Sequence, residues 1–352
     1  MNHQCYNVIG VMSGTSLDAI DLVYVKLVRN DSWNFHVLKV KSIEYNHVWQ
    51  TKLASAISLP NIHLKDLNNE YTLYLSQCIN DFIYENQITE LLAICSHGHT
   101  IHHQPGGDGY TFQIGNLPIL ADLLSQRVVC DFRSQDVDMG GQGAPLVPIG
   151  DHFLFNKYDY CLNLGGFANI SYSLNDIRKA FDIVPVNVVL NYFANRLGSD
   201  YDDSGAFAKA GKINSEVLAQ LNSLPYYKVD GPKSLGVEWI DNHVWDIIKS
   251  IDNPLDALAT YTEHVAMQIS SVLLPESTVL VTGGGAYNSF LIHRISSYSK
   301  AEIIIPNKEL IEYKEALIFA FLGVLKLRNE NNCLASVTGA SMDHSSGKIY
   351  LP

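Results

Sequence analysis

One order of elements occurs twice along the 352 residues, and that repetition constrains the fold more than any other feature. Residues 7–12 read as a buried strand, 13–18 as a turn, and 20–28 alternate like the returning strand of a hairpin. Residues 33–45 supply a third strand. Helical spacing occupies about 49–58 and 64–85, followed by a short apolar strand at 91–95, a helix at 118–125 and a strand at 127–132. The order then recurs, with strands at 158–164 and 168–173 and a third ending at 181–182. Helices follow at 186–196, 215–224, 237–250 and 255–274, then a strand at 278–282, a helix after Gly285, a strand at 302–305 and a helix at 310–328. Both halves read β-β-β-α-β-α-β, with extra helices in the second. A doubly wound dinucleotide-binding domain alternates strand and helix from its first strand, so a repeated opening meander points instead to two similar lobes facing one another. The expected class is α/β, with a mixed five-stranded sheet in each lobe and a nucleotide cleft between them. Residues 1–132, completed by about 329–352, form the first expected lobe, and 133–328 the second.

Three glycine turns fall at matching places in this scheme. The first, Gly14-Thr15-Ser16-Leu17-Asp18, offers freed backbone amides, two hydroxyls, and carboxylates at Asp18 and Asp21 that can hold Mg²⁺ directly or through water. The same residue types build ordinary hairpin turns, so two readings stand at this point, a plain turn and a phosphate clamp. The second turn, at Gly165 and Gly166, sits at the equivalent place in the second half. The third, Gly283-Gly284-Gly285 with Asn288, follows a strand and opens a helix, where freed amides face a nucleotide well. Its glycines are consecutive and deep in the chain, unlike the G-x-G-x-x-G of a first βαβ unit. Gly211-Lys212 and Gly347-Lys348 both lead into isoleucine, so the common G-x-x-x-x-G-K-[ST] phosphate loop is absent from the sequence.

Charge narrows the partners. With 24 basic against 36 acidic residues the formal charge is -12, and no basic patch interrupts it, which argues against nucleic acid. The 47% apolar and 17% charged fractions are those of a compact enzyme. Six dispersed cysteines without a C-x-x-C pair, no signal region, and no apolar run approaching the ~20 residues that span a bilayer lead to the expectation of a soluble, cytoplasmic protein with reduced thiols.

Longer motifs carry a family resemblance over nearly the whole chain. These are Gly10-Val11-Met12-Ser13-Gly14-Thr15-Ser16-Leu17-Asp18, Tyr110-Thr111-Phe112-Gln113-Ile114-Gly115-Asn116 and Asp131-Phe132-Arg133-Ser134-Gln135-Asp136-Val137 running into residues 140–148. Residues 163–171, Pro232-Lys233-Ser234, Lys314-Glu315-Ala316 and Ser336-Val337-Thr338-Gly339-Ala340 continue the series. In them the chain resembles the anhydro-N-acetylmuramic acid kinases, sugar kinases of the actin-like (ribonuclease H-like) fold. The resemblance implies ATP and Mg²⁺ as cofactors, a homodimer, and conversion of 1,6-anhydro-N-acetylmuramic acid to N-acetylmuramic acid 6-phosphate in peptidoglycan recycling. It also implies Asp182 as the general base for water, and sugar contacts from His97, Thr100, Arg133, Asp136 and Glu315. An Arg133–Asp136 pair is equally ordinary as structural glue.

The chain departs from the family pattern at 182–187, where Asp182-Ile183-Val184-Pro185-Val186-Asn187 stands in place of a glycine-rich loop; Asp, Pro and Asn remain and flexibility is lost. Ala19 replaces a usual glycine and His99 a usual glutamine, and Leu235 and Val237 depart from the pattern after Lys233. Two competing readings are a kinase for a different anhydro or amino sugar, and a chaperone-like regulatory ATPase on the same fold. The cluster His97, His99, His102 and His103 presents either hydrogen bonds or a transition-metal site.

Overall fold

The computed structural model describes residues 4–14, 17–104 and 110–352. Twelve strands are present among them: β1 (Gln4–Ser13), β2 (Ala19–Arg29), β3 (Trp33–Glu44), β4 (Ala93–Gln104), β5 (Tyr110–Ile114), β6 (Val128–Cys130), β7 (Tyr160–Leu164), β8 (Phe167–Leu174), β9 (Ile177–Pro185), β10 (Thr278–Thr282), β11 (Glu302–Ile304) and β12 (Lys348–Tyr350). They form two sheets, ordered β12-β6-β4-β1-β2-β3, with β5 on β4, and β11-β10-β7-β8-β9. In each, three antiparallel strands form a meander, a fourth strand joins the first of them in parallel, and a fifth joins the fourth in parallel. The duplicated order is that of two actin-like α/β units. The second sheet has the five strands expected; the first has seven, because β5 folds back on an extended β4 and β12 adds to the β6 edge.

The chain divides into two compact units, Met1–Leu154 with Tyr313–Pro352, and Phe155–Glu312. Residues 133–154 thus lie with the first unit and not with the second, as does most of the helix Lys308–Leu327. Local bonds account for this: the Gln142 amide donates to the Thr338 carbonyl at 2.8 Å, and Ser346 Oγ donates to the Phe132 carbonyl at 2.7 Å.

Each unit has its own core. In the first, Ile9, Val11, Ile20 and Leu22 of the meander pack on Leu67, Tyr71, Leu75 and Phe82 of the helix Asn61–Glu85. In the second, Leu162, Ile170 and Val184 pack on Leu258, Tyr261 and Val265 of the helix Pro254–Ser271. That helix starts cleanly because Asn253 accepts from the Leu255 amide at 3.1 Å and Pro254 occupies its first turn. No described helix is long and apolar enough to cross a membrane.

Gly10 fixes how β1 meets the helix Lys308–Leu327. A Cβ there would stand 2.0 Å from the Ala316 carbonyl oxygen, a backbone atom that cannot swing away. We expect Gly10→Ala to cost about 1–3 kcal/mol or more through forced separation of strand and helix. A urea midpoint unchanged from wild type would contradict this.

Candidate active site

In the first unit the β1–β2 turn is held from beneath. Buried Ser13 Oγ lies 2.7 Å from both Tyr45 Oη and His99 Nδ1, and Tyr45 Oη lies 2.6 Å from Tyr71 Oη. Burial lowers His99 to about 4, so the ring is neutral at pH 7. Gly14 accepts from the Leu17 amide at 3.4 Å, and Leu17 takes φ 59° to close the turn. Asp18 is exposed and accepts the Ala19 amide at 3.0 Å; Asp21 faces Met12 across the hairpin and accepts the Ser42 hydroxyl. Thr15 and Ser16 lie outside the described residues.

The histidine segment, which lies beyond the short strand expected at 91–95, is the body of β4. A bulge marked by Gly98 at φ 76° separates the Val11–Ser96 pair from the Ser13–His99 pair and turns His97 and His99 inward. His97 is buried, and its Nδ1–H donates to the Gly98 carbonyl at 2.9 Å. Its Nε2 then accepts the Arg133 Nε–H at 2.8 Å. Burial first, and the Arg133 charge next, hold this imidazole well below its usual range. With both nitrogens engaged, His97 serves hydrogen bonding and not metal. Thr100 is half-buried beside Gln113, whose Nε2 donates to it at 3.4 Å.

Arg133 Nη1 also donates to the Gly143 carbonyl at 2.5 Å, and burial lowers the guanidinium to about 10 against the pull of Glu315. Glu315 is exposed, and its negative charge acts on Arg133. Asp136 differs from the sugar contact expected of it. It is fully buried, with Oδ2 taking the Gly143 amide at 2.7 Å and Oδ1 the Thr338 hydroxyl at 2.7 Å, so it ties its loop to the C-terminal segment.

In the second unit two glycine turns and the Asp182 segment adjoin. Gly283 takes φ 82°, and a Cβ there would stand 2.5 Å from Asn163 Oδ1 and 2.8 Å from the Leu164 carbonyl. Gly285 is equally tight against Leu164, whereas Gly284 faces open space. Gly165 and Gly166 accept from the Asn187 and Val186 amides at 3.3 and 2.8 Å. Asn288 is used as a cap, its Oδ1 taking the Leu291 amide at 2.9 Å at the start of Ser289–Tyr298.

Asp182 sits within β9, not in a loop. Asn169 pairs with Asp182 and Ala168 with Val184, so Ile183 is an extra residue bulged out of the ladder. The β-branched residues that replace a glycine-rich loop suit this strand, since Ile183 and Val184 are buried in it and Val186 is buried just beyond its end. The Leu235 amide donates to Asp182 Oδ2 at 2.9 Å, and the backbone of Asp182 is held by Lys233 and Tyr226. Burial raises the Asp182 carboxyl, the Leu235 bond partly offsetting it. The Pro232-Lys233-Ser234 motif thus acts as the strap across Asp182.

A residue pair not picked out by sequence reasoning is buried Lys314 with Asp151, 2.7 Å apart. The Lys314-Glu315-Ala316 motif was the available signal: one residue bridges Asp151, the next acts on Arg133, and the third receives Gly10.

The family model described as anhydro-N-acetylmuramic acid kinase matches residues 6–352. The chain is 34% identical over 368 residues to the anhydro-N-acetylmuramic acid kinase of Pseudomonas syringae pv. tomato, covering 97% of this chain and 98% of that one. It is 31% identical over 379 residues to that of Haemophilus influenzae, with 97% of each covered. Among solved structures, component A of Acidaminococcus fermentans (R)-2-hydroxyglutaryl-CoA dehydratase is similar at a TM-score of 0.45 and 13% identity, covering 92% of this chain and 99% of that one. At that distance the strand order, not the likeness, carries the fold. A full-length match to the family model, joined to relatives above 30% identity across nearly their whole length, means that this chain belongs to the anhydro-N-acetylmuramic acid kinase family.

Proposed function

We propose that the protein uses ATP and water to open 1,6-anhydro-N-acetylmuramic acid and phosphorylate its O6, giving N-acetylmuramic acid 6-phosphate for peptidoglycan recycling. The observation that carries this reading is Asp182, a carboxylate on a strand bulge with its basicity raised by burial and one oxygen held by the Leu235 amide. Asp182 takes a proton from water as the water oxygen bonds to the anomeric carbon. The bond from that carbon to the bridging oxygen breaks, and the oxygen, now O6, receives the γ-phosphoryl group while ADP leaves. Phosphoryl transfer stands where an inverting glycosidase uses a general acid, so one carboxylate suffices.

In the second unit Gly165, Gly166, Gly283, Gly284 and Gly285 supply the backbone that binds the nucleotide phosphates, and Gly14 has the same role within the first unit. Asn288 contributes by setting the start of its helix. Asp18 and Asp21 are hard oxygen donors at one end of the β1–β2 hairpin, a donor set that fits Mg²⁺. The ion supplies charge neutralisation at the transferring phosphate. Arg133, oriented by His97 and Gly143, offers its remaining N–H groups to the sugar's carboxylate or hydroxyls, with His97, Thr100 and Glu315 nearby on the same unit. A cytoplasmic homodimer completes the reading.

ADP release measured against a panel of anhydro and ordinary amino sugars tests it. Turnover is expected with 1,6-anhydro-N-acetylmuramic acid. Preference for another anhydro or amino sugar would move the assignment to that substrate, and ATP hydrolysis stimulated by unfolded peptide alone would replace it with the chaperone reading.

A further inference from the structure

We propose that Asp136, Cys333 and His344 bind a zinc ion that fastens the C-terminal segment to the loop carrying Gly143. The three side chains are 0%, 1% and 7% exposed and converge from two separate parts of the first unit. Asp136 lies on the short helix Ser134–Asp138, whereas Cys333 and His344 oppose each other across an antiparallel bridge, exchanging backbone hydrogen bonds of 3.1 and 3.2 Å. Cys333 Sγ is 2.9 Å from Asp136 Oδ1, His344 Nε2 is 3.7 Å from it, and all three ligand atoms lie within 4.8 Å of one another. Tetrahedral zinc with one S, one N and one O ligand holds these atoms about 3.3–3.6 Å apart, so side-chain shifts of about 1–1.5 Å or less seat the ion.

The independent sign is His344. Its Nδ1 faces the Met342 carbonyl at 3.1 Å, which fixes the proton there and leaves Nε2 with a lone pair. Nε2 is buried with no hydrogen-bond partner and lies 3.7 Å from Asp136 Oδ1, which already accepts from Thr338 and Cys333, so the nitrogen is the orphan that a cation would pair. A tautomer with hydrogen on Nε2 does not pair it, because 3.7 Å exceeds hydrogen-bond reach. Charge closes as well. Thiolate, carboxylate and neutral imidazole with Zn²⁺ sum to zero, the condition for leaving them buried. On binding, the Cys333 thiol proton passes to solvent and a Zn–S bond forms in its place.

The surroundings are built as a ligand frame. Gly143 N–H holds Oδ2 and the Thr338 hydroxyl holds Oδ1, each at 2.7 Å. Asn332 Nδ2 donates to the Leu322 and Ser346 carbonyls at 3.0 and 2.9 Å and stiffens the bridge. A water takes the fourth position. The thiolate and imidazole select zinc and not magnesium, so this site is distinct from Asp18 and Asp21. Because Gly143 also receives Arg133 Nη1, the ion would steady that arginine, but the site stands without any role for Arg133 in catalysis.

The test loads the full chain with about two equivalents of zinc, desalts it, and counts metal by mass spectrometry, with about one ion per chain expected. Zinc-edge X-ray absorption on the same sample should show a single sulfur at about 2.3 Å among nitrogen and oxygen ligands. Cobalt in its place should give a near-ultraviolet sulfur-to-metal band, lost in Cys333→Ser and His344→Gln and kept in Cys5→Ser. Less than about a tenth of an ion per folded chain, a shell without sulfur, or a cobalt band indifferent to Cys333→Ser overturns the proposal. The wild-type measurements decide even where a variant fails to fold.

Discussion

Asp182→Asn is expected to lower kcat about 10²–10⁴-fold with the anhydro sugar, the range for loss of a positioned general base. Asparagine keeps an oxygen for the Leu235 amide and occupies the same volume, so β9 and its bulge should survive and the unfolding midpoint should stay near wild type. The pH dependence adds a second readout. Burial raises this carboxyl above its ordinary 3.8, and the base works only when ionised. The acid limb of wild-type kcat/KM should therefore fall at a pH above the ordinary carboxylate value, and residual activity of the variant should lack that limb. A variant with near-normal turnover removes Asp182 from the chemistry.

Gly283→Ala is expected to damage both stability and nucleotide use. The backbone there has φ 82° and ψ 163°, a conformation costing other residues about 1–3 kcal/mol, and the new methyl would press on the Leu164 carbonyl. Moving that turn disturbs the Asn163–Gly166 segment, so KM for ATP should rise about tenfold or more, equivalent to about 1.4 kcal/mol. Gly284→Ala separates the two effects, because its methyl enters open space: stability should hold while KM for ATP rises. Unchanged ATP KM in both variants would remove this turn from the nucleotide site.

What the sequence made legible follows from range of contact. The duplicated meander was readable because alternation and turns are local, and β10 occupies Thr278–Thr282 as its apolar run indicates. The long β4 was not, since His97 to His103 carries little apolar signal and its register depends on Gly98 and on pairing with β5. The three-residue strand β12 owes its existence to an edge formed by β6 more than two hundred residues earlier. At the site, the glycines and Asp182 were visible as residues, but their setting was not. The 182–187 segment reads as a stiffened loop until β8 supplies the partner that makes valine the fitting choice. Asp136 is the sharper case: motif position placed it beside sugar, while Thr338, Cys333 and the Gly143 amide consume it in the interior.

The most direct measurement is the mass of the product made from ATP and 1,6-anhydro-N-acetylmuramic acid. The expected product is heavier than the sugar by one water and one phosphoryl group, with phosphate on O6 and one ADP released per sugar opened. Phosphorylated sugar with the anhydro ring still closed, or ADP formed with no change in the sugar, would contradict it.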